Sequence, residues 1–577
     1  MRKTEQQMGA TGSAGKAADF RRLPLLLLIL FGFSIVLLGA ATVAIAAPPG
    51  ANGTSPPEAP MLLPADAGIS GTGVSNDPSP NWIVAGTPGT RSRDAASRAG
   101  ADQVGSGSGI YRVARSRAGQ LARDLDSSGS LVYAEPDVPL IRHSYPADRF
   151  DSDQWWLNRI VNPSDFTPPE ATGSGPVLAL IEESLDPLHP DLAEANLSGA
   201  ISLGPASDWH GTSVAGIAGS PGEMQGIRGV WPGAPMRLFP SGLSCATATG
   251  AVMRAARAGS AVLNMSYGFP AESCYSHYVA TESAVRAGAL PVASAGNSGV
   301  VGGNAPSRPA SDPHVISVSA IDRDGIVADF ATRNDGVDLT APGVSVLAPT
   351  VAVAAPIDDP QKTERGWTLL NGTSFSAPMV SAAAAMLKQA RPKLDSRRLG
   401  RLLTRSASDL GKPGRDPEYG EGLLNIDAAM AADTPPGDPM EPNDDIAWLN
   451  GSLLGRKAGF LWKPRSGKRR SVTATISRDK DPTDVFRVRI PPRRKLRITA
   501  AQFQGDIRLS VLKPGAKTIV DPGKRVIVAS DRAYPKTEGV KIRNLKSKPR
   551  LIYVAVEAGP RQKPQYGRYK LTVALSR

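Results

Sequence analysis

The chain has 577 residues, 41% hydrophobic and 21% charged, with two cysteines and a formal net charge of +13. That length and apolar fraction exclude a disordered protein and leave room for a large core with one or two smaller domains. The charge is uneven: residues 435–577 hold 32 lysines and arginines against 12 acids, a surplus of 20 that leaves −7 for the rest, and no specific nucleic-acid partner is expected.

In chain order, the apolar run Leu23 to Ala46 follows Arg2, Lys3, Lys16, Arg21 and Arg22 and ends in Ala44-Ile45-Ala46. It reads as an export signal over 1–46, cleaved after Ala46. Its length also suits a retained membrane anchor with the remainder outside, so the expected location is extracellular or membrane-anchored. Export places Cys245 and Cys274 in an oxidising compartment, where a bridge is expected over two buried thiols, although spacing alone fixes no geometry. Residues 47–79, rich in Pro, Gly, Ser and Ala, form a linker.

Structure resumes at Trp82-Ile83-Val84, continues through Ile110-Tyr111-Arg112-Val113 and a helical face of Ala118, Leu121, Ala122 and Leu125, and closes at Leu131 to Pro136. This α+β unit over 80–143 is too small for a strong core, so it is expected to lean on a larger neighbour.

From 150 to 433 continuous apolar runs alternate with helical segments. The runs are Pro176–Ile181, Ala261–Met265, Leu290–Ser294 and His314–Val318; the helices centre on His210–Ala218, Ala248–Ala258 and Tyr278–Ala287. Alternation of this kind predicts an α/β domain with a mainly parallel sheet flanked by helices, and a site at the C-terminal ends of its strands.

What stands at those ends is chemically pointed. The first run meets Glu182-Glu183; a helix opens His210-Gly211-Thr212; another run leads into Ala295-Gly296-Asn297-Ser298-Gly299; and Asn371-Gly372-Thr373-Ser374 turns into an alanine-rich helix with Pro378 expected in its first turn. A histidine can take a serine proton, a carboxylate can hold the ring's tautomer, and a side-chain amide can donate to an oxyanion. Each segment alone is ordinary: Ser374 reads equally as a helix cap, and Asn-Ser-Gly is a common turn.

In the order acid, His, Ser, with Ala341-Pro342-Gly343 and Tyr419 to Asn425, these segments resemble the subtilisin family of serine peptidases over residues 150 to about 432. The resemblance implies His210 as general base, Ser374 as nucleophile, Asn297 as oxyanion donor, and Ser266, Tyr267 and Gly268 as the strand that binds extended substrate. It also implies that the 80–143 unit is similar to the family's inhibitory propeptide, particularly at Tyr133 to Asp137. Two departures stand out. The family's aspartate is Glu182 here, and its second histidine is Ser213. Successive strand residues point to opposite sides, so only one of Glu182 and Glu183 can face His210, and the register of the resemblance implies Glu182. No cofactor is required for the chemistry; the resemblance admits a structural calcium, with Asp191 and the loop Pro221–Gly229 as candidate ligands.

Past the linker-like Thr434 to Pro439, short alternating strands such as Val485–Ile490, Ile507–Leu512 and Tyr569–Leu575 predict an all-β sandwich over 434–577. Glu441-Pro442-Asn443-Asp444, Asp484-Val485-Phe486 and Tyr566 to Tyr569 resemble the C-terminal module appended to secreted bacterial peptidases. Its alternating arginines read either as a solvated sheet face or as a surface for anionic cell-wall polymer or membrane headgroups. The expected activity is a secreted, self-processed endopeptidase acting on polypeptides. The alternatives are a catalytically weak relative that binds polypeptide or cell-surface polymer, and a basic adhesion protein.

Overall fold

The computed structural model describes residues 80–576 apart from 138–140, 143–144, 147–153, 163–166, 173–174, 200–208, 223–225, 300, 354–362, 452–456, 479, 520–524 and 560–565. The expected signal and linker, and most of the connection between 142 and 154, lie outside the described residues. Among the described residues no helix is long and apolar enough to cross a membrane.

The central sheet has seven strands, ordered Leu339–Pro342, Ile316–Ile321, Leu290–Ser294, Val262–Met265, Leu178–Leu180, Met236–Leu238 and Leu197–Gly199. Every neighbouring pair is parallel. Buried on both faces, its strands read as unbroken apolar runs rather than alternating ones, as parallel sheets do. The chain enters at Leu178–Leu180, travels to one edge, returns, and then builds outward on the other side from Val262–Met265. The order therefore reverses between these two strands, and a crevice opens beyond their C-terminal ends.

The helix Thr373–Ala390 crosses the sheet and is buried from Thr373 through Leu387. Its run of alanines has no polar face to lose, so it can sit in the middle of the core against the helix Trp209–Gly219. Trimming a large side chain there, such as Met379→Ala, should cost about 2–5 kcal/mol through the cavity left behind. Two further helices, Cys245–Arg257 and Tyr275–Ala287, pack side by side, and Cys245 and Cys274 are disulfide-bonded with Cα atoms 5.6 Å apart. Both begin three residues before the apolar pattern announces them: Ser244 caps one through a capping box with Thr247, and Cys274, at φ 56°, turns the chain into the other.

On those two helices rests the N-terminal α+β unit, a four-stranded sheet ordered Asp102–Gln103, Ile110–Ala114, Asn81–Gly86 and Leu131–Pro136, with helices Thr90–Arg98 and Arg115–Ser127. Trp82, Leu121 and Leu125 form its own small core. Ile83, Ile110 and Tyr133 instead join the core of the larger domain, which is the support a unit of this size needs. The C-terminal region is a sandwich of two antiparallel four-stranded sheets. One is ordered Arg469–Ser477, Tyr566–Ser576, Lys495–Gln504, Glu538–Arg543; the other Thr483–Ile490, Arg550–Ala558, Ile507–Leu512, Val526–Ser530. Trp462, Phe486, Ile498 and Val554 fill the space between them.

Candidate active site

Glu182 follows the strand Leu178–Leu180 by two residues, and His210 is the second residue of the helix Trp209–Gly219. Their approach depends on Gly211, since a Cβ there would lie 2.0 Å from Ser184 O and 3.2 Å from Glu182 Cβ. The turn is fixed further by Asp186 N, which donates to Thr212 Oγ1 at 2.9 Å. It is Glu182 of the adjacent acidic pair that reaches the ring, with Oε2 2.8 Å from His210 Nδ1. The two residues are only 4% and 2% exposed, so little water competes for this bond. A carboxylate only accepts, so in the neutral ring Nδ1 holds the proton and Nε2 the lone pair, and Nε2 makes no hydrogen bond. Trp209 and Phe375 pack against the imidazole at ring distances of 5.8 and 5.9 Å.

Phe375 also marks how close the other half of the site lies, because its predecessor is Ser374. Gly372, at φ 153°, turns the chain into the helix, and Ser374 is the second helical residue, where backbone N–H groups have no intrahelical acceptor. Asn297 is joined to this turn through Thr373, whose N and Oγ1 donate to Asn297 Oδ1 at 3.2 and 3.0 Å. With its oxygen engaged in this way, the amide offers its NH2 group as the donor.

Pro378 is the sixth residue of this helix, not part of its first turn as the sequence suggests. The difference has a consequence. Lacking an N–H, Pro378 cannot bond the carbonyl four residues back, which is that of Ser374 itself. Ser266 Oγ supplies the missing donor at 2.9 Å. Asn264 Nδ2 then donates to Ser266 Oγ at 3.0 Å, and Ser381 Oγ donates to Asn264 Oδ1 at 3.0 Å. In return Ser374 Oγ donates to Ser266 O at 3.0 Å. Asn264, Ser381 and the freed carbonyl were not singled out from the sequence. The signal that could have found them is a proline one turn past a candidate nucleophile.

Of the expected substrate strand, Ser266 and Gly268 are buried and Tyr267 is 3% exposed. The Tyr267 side chain points inward, its Oη 2.9 Å from His277 Nε2, so only its backbone is offered to the cleft. That backbone is paired: Arg142 and Ile141 lie antiparallel opposite Tyr267 and Gly268, and Tyr145 and Pro146 lie opposite Asn371 and Leu370. The described strands Ile141–Arg142 and Tyr145–Pro146 thus pair with the segments that lead from Ser266 and into the Ser374 turn. Ser213, where the family has its second histidine, donates to Pro349 O at 2.6 Å and Trp209 O at 2.9 Å, tying the helix to the strand Val346–Val353.

For the expected calcium, Asp191 Oδ2 accepts from Trp367 Nε1 at 2.6 Å and Ile227 N at 3.3 Å, and burial pushes its carboxyl up. Part of the 221–229 loop lies outside the described residues. The cluster of metal-capable side chains found among the described residues is elsewhere, at His314, Glu441, Asp444 and Asp481.

A carboxylate, an imidazole and a serine at the C-terminal edge of a parallel α/β sheet make a serine hydrolase. The sequence profile of the subtilase family, Peptidase_S8, matches residues 173–422. The alkaline protease of Alkalihalobacillus alcalophilus is 31% identical over 323 residues, 53% of this chain and 76% of that protein. Subtilisin Savinase of Lederbergia lenta is 32% identical over 290 residues, 48% of this chain and 97% of that protein. In fold, the crystal structure of fervidolysin from Fervidobacterium pennivorans, described as a keratinolytic enzyme related to subtilisin, superposes with a TM-score of 0.50 at 17% identity, covering 85% of this chain and 92% of that one. The chain belongs to the subtilase family and is a subtilisin-like serine peptidase acting on polypeptides.

Proposed function

We propose that the protein is an exported endopeptidase that works through an acyl-enzyme and is made as a zymogen. In this reading Ser374 Oγ rotates from Ser266 O toward His210, passes its proton to Nε2 and attacks the peptide carbonyl. Asn297 Nδ2 and the Ser374 N–H donate to the oxyanion, and Glu182 holds the ring as the imidazolium forms. His210 then protonates the departing amine, and water, deprotonated by the same nitrogen, releases the acid. The buried 2.8 Å Glu182–His210 contact carries the reading and favours it over a weak, binding-only relative. The experiment is labelling with a serine-directed fluorophosphonate. Parent protein should react and Ser374→Ala should not; Glu182→Gln should lower kcat by about four orders of magnitude while Glu183→Gln leaves it nearly unchanged. The reverse ranking reassigns the acid.

The zymogen part rests on the strand pairings. With Arg142 on one side of Ser374 and Tyr145 on the other, the bond cut in self-processing falls between them. N-terminal sequencing of mature protein tests this, and a start at or beyond Pro146 rejects it. The released unit is the propeptide, a β-edge with its tail in the cleft. Secretion rests on the charged and apolar N-terminal pattern alone.

The C-terminal module we assign to anionic surfaces. On one outer sheet Lys495 stands opposite Arg543, and Arg497 opposite Lys541. Like charges directly opposed cost folding energy, so an external partner explains them better than solvation does. Binding to anionic vesicles or cell-wall polymer should weaken steeply with salt; salt-insensitive binding counts against the assignment.

A further inference from the structure

The two outer faces of the C-terminal sandwich are unlike each other. On the sheet that contains Thr483–Ile490 the chain covers itself: Val485, Leu512 and Tyr553 are buried there with Ile446 and Leu449 of the helix Ile446–Asn450. On the sheet that contains Lys495–Gln504 the residues Val472, Ile498, Val540 and Val573 point into the core, and those that alternate with them stand outside. Apart from Thr572 these outward residues are exposed or half-buried.

Strand register sorts them into rows that run across the sheet. One row is Arg469, Ala574, Arg497 and Lys541, backed by Lys495 beside Arg543. The next is Ser471, Thr572, Thr499 and Gly539, with Ser471 Oγ and Thr572 Oγ1 2.9 Å apart and Thr572 only 8% exposed. On the far side of that row stand Lys570 and Arg568. Short side chains between long ones make a trough, floored by hydroxyls and rimmed by cations on both sides. Across four strands the trough runs about 14 Å, and with alternate residues about 6.8 Å apart its rims stand about 14 Å from each other. No aspartate or glutamate occupies an outward position on these strands, and among the described residues the side chains of these lysines and arginines make no ion pair or hydrogen bond. Uncompensated charge of one sign, gathered on the bare face, is what distinguishes this sheet from its covered partner.

We propose that the trough is the docking site of a linear polyanionic glycan, a sugar chain carrying carboxylate, sulfate or phosphate groups, laid across the strands with its anionic groups on the rims and its hydroxyls on the floor. The class of partner follows from what the face offers and what it lacks. Unpaired arginines and lysines call for a polyanion. A membrane surface is flat and would rest on their tips, leaving the recessed Thr572 and Thr499 unused. A single-stranded nucleic acid stacks its bases on aromatic side chains, and none of the outward positions in these rows is aromatic. The inference rests on the assignment of this module to anionic partners and adds the partner's shape; it does not depend on the catalytic assignment. Its consequence is that the peptidase works while held to a polymer that it does not cut.

The test uses the full chain carrying Ser374→Ala, so that it does not digest itself, titrated separately with a heparin-derived hexasaccharide, uncharged maltohexaose, a single-stranded oligonucleotide and phosphatidylserine vesicles. The heparin hexasaccharide should bind most tightly and maltohexaose should not bind. Arg497→Ala should weaken the hexasaccharide about tenfold and flatten its salt dependence. Thr499→Val, which keeps the shape and suits a strand, should weaken it about threefold with the salt dependence unchanged, and should leave vesicle binding as it was. Tighter binding of vesicles or oligonucleotide than of the hexasaccharide, or hexasaccharide binding indifferent to both substitutions, overturns the inference. Binding to vesicles alone removes the trough but keeps an anionic partner for the module, whereas binding to none of the anionic probes removes both. The ranking of probes is read on the chain without either trough substitution, so it stands whatever those variants do to folding.

Discussion

The N-terminal α+β unit and the C-terminal sandwich both rest on the helix Tyr275–Ala287, but through contacts of different kinds. The N-terminal unit approaches helix ends. Glu135 accepts from Tyr275 N, from Ser276 N at 2.6 Å and from Ser276 Oγ, while Asp137 accepts from Ala246 N at 2.7 Å at the start of the neighbouring helix. Helix N-termini carry free N–H groups and partial positive charge, so two carboxylates placed there are well held. Those same N–H groups could turn to water were the unit removed. The C-terminal module instead buries full charges: Arg397 between Glu441 and Asp481, Arg401 on Asp438 at 2.7 Å, and Lys480 on Asp338 at 3.2 Å. Separating those pairs leaves charges without partners in a dry interface. The difference teaches which attachment would separate at the lower electrostatic cost.

The largest expected effect is all-or-none. Ser374→Ala should hold the N-terminal unit on the chain by blocking self-processing, and should lower peptidase activity by at least ~10⁴-fold, while the C-terminal module stays attached in parent and variant alike. Intact-mass measurement over time reads both ends at once. A variant that matures alone at the parental rate removes the separable half of the comparison.

Next in size is Arg397→Ala, which leaves Glu441 and Asp481 buried without their guanidinium and should cost about 3–5 kcal/mol. A fall in melting midpoint of roughly 10 °C is expected, with protease attack near the domain junction. As the contrast, Arg112 in the N-terminal unit pairs with Asp137 at 2.6 Å but is 37% exposed on its side chain, and Arg112→Ala should change stability by less than about 1 kcal/mol. Equal losses for the two would erase the distinction.

Smaller again, Glu135→Gln and Asp137→Asn should each weaken docking of the N-terminal unit by about 1 kcal/mol, speeding the appearance of activity roughly fivefold without touching the C-terminal junction. Activity onset in the full-length chain is the readout, and an onset that does not change means the caps contribute nothing to inhibition.

A last effect belongs to the shared helix and shows only below neutral pH. Burial, aided by Arg308, lowers the His277 imidazole to about 3 from the ordinary 6.5. Below pH 6.5 the unfolded chain takes up a proton that the folded chain refuses until about 3. Stability is therefore full above pH 6.5 and falls toward pH 3 by about 1.4 kcal/mol per pH unit from this group. Urea midpoints at pH 7 and 4.5 should differ less in His277→Gln than in the parent; an identical pH dependence dismisses His277 as the source.

Much of the α/β domain was legible because its strands are buried on both faces and so spell unbroken apolar runs, as at Leu290–Ser294. Met236–Leu238 and Leu197–Gly199 were not read as strands: three residues make too short a run to separate from loop. The helix Thr90–Arg98 also escaped, since its buried face is only Ser92, Ala95 and Ala96. Glu182, His210, Asn297 and Ser374 could be picked out because each stands beside a glycine or a strand end that the sequence displays. The junction cluster could not, because Glu282, His314, Arg397, Glu441 and Asp481 are far apart in the chain and meet only when two domains pack.

By itself, then, the sequence determined which residue types stand at the ends of the sheet and that a basic sandwich follows. Those are facts of local pattern, fixed by periodicity and by turn chemistry within a few residues. Only the tertiary structure decided that the longer Glu182 side chain closes to 2.8 Å from His210, that Ser266 takes over the carbonyl Pro378 leaves unbonded, and that one unit caps helices while the other buries charge. Those outcomes depend on distances between segments tens to hundreds of residues apart, which the packing of helices on the parallel sheet sets and no local rule contains.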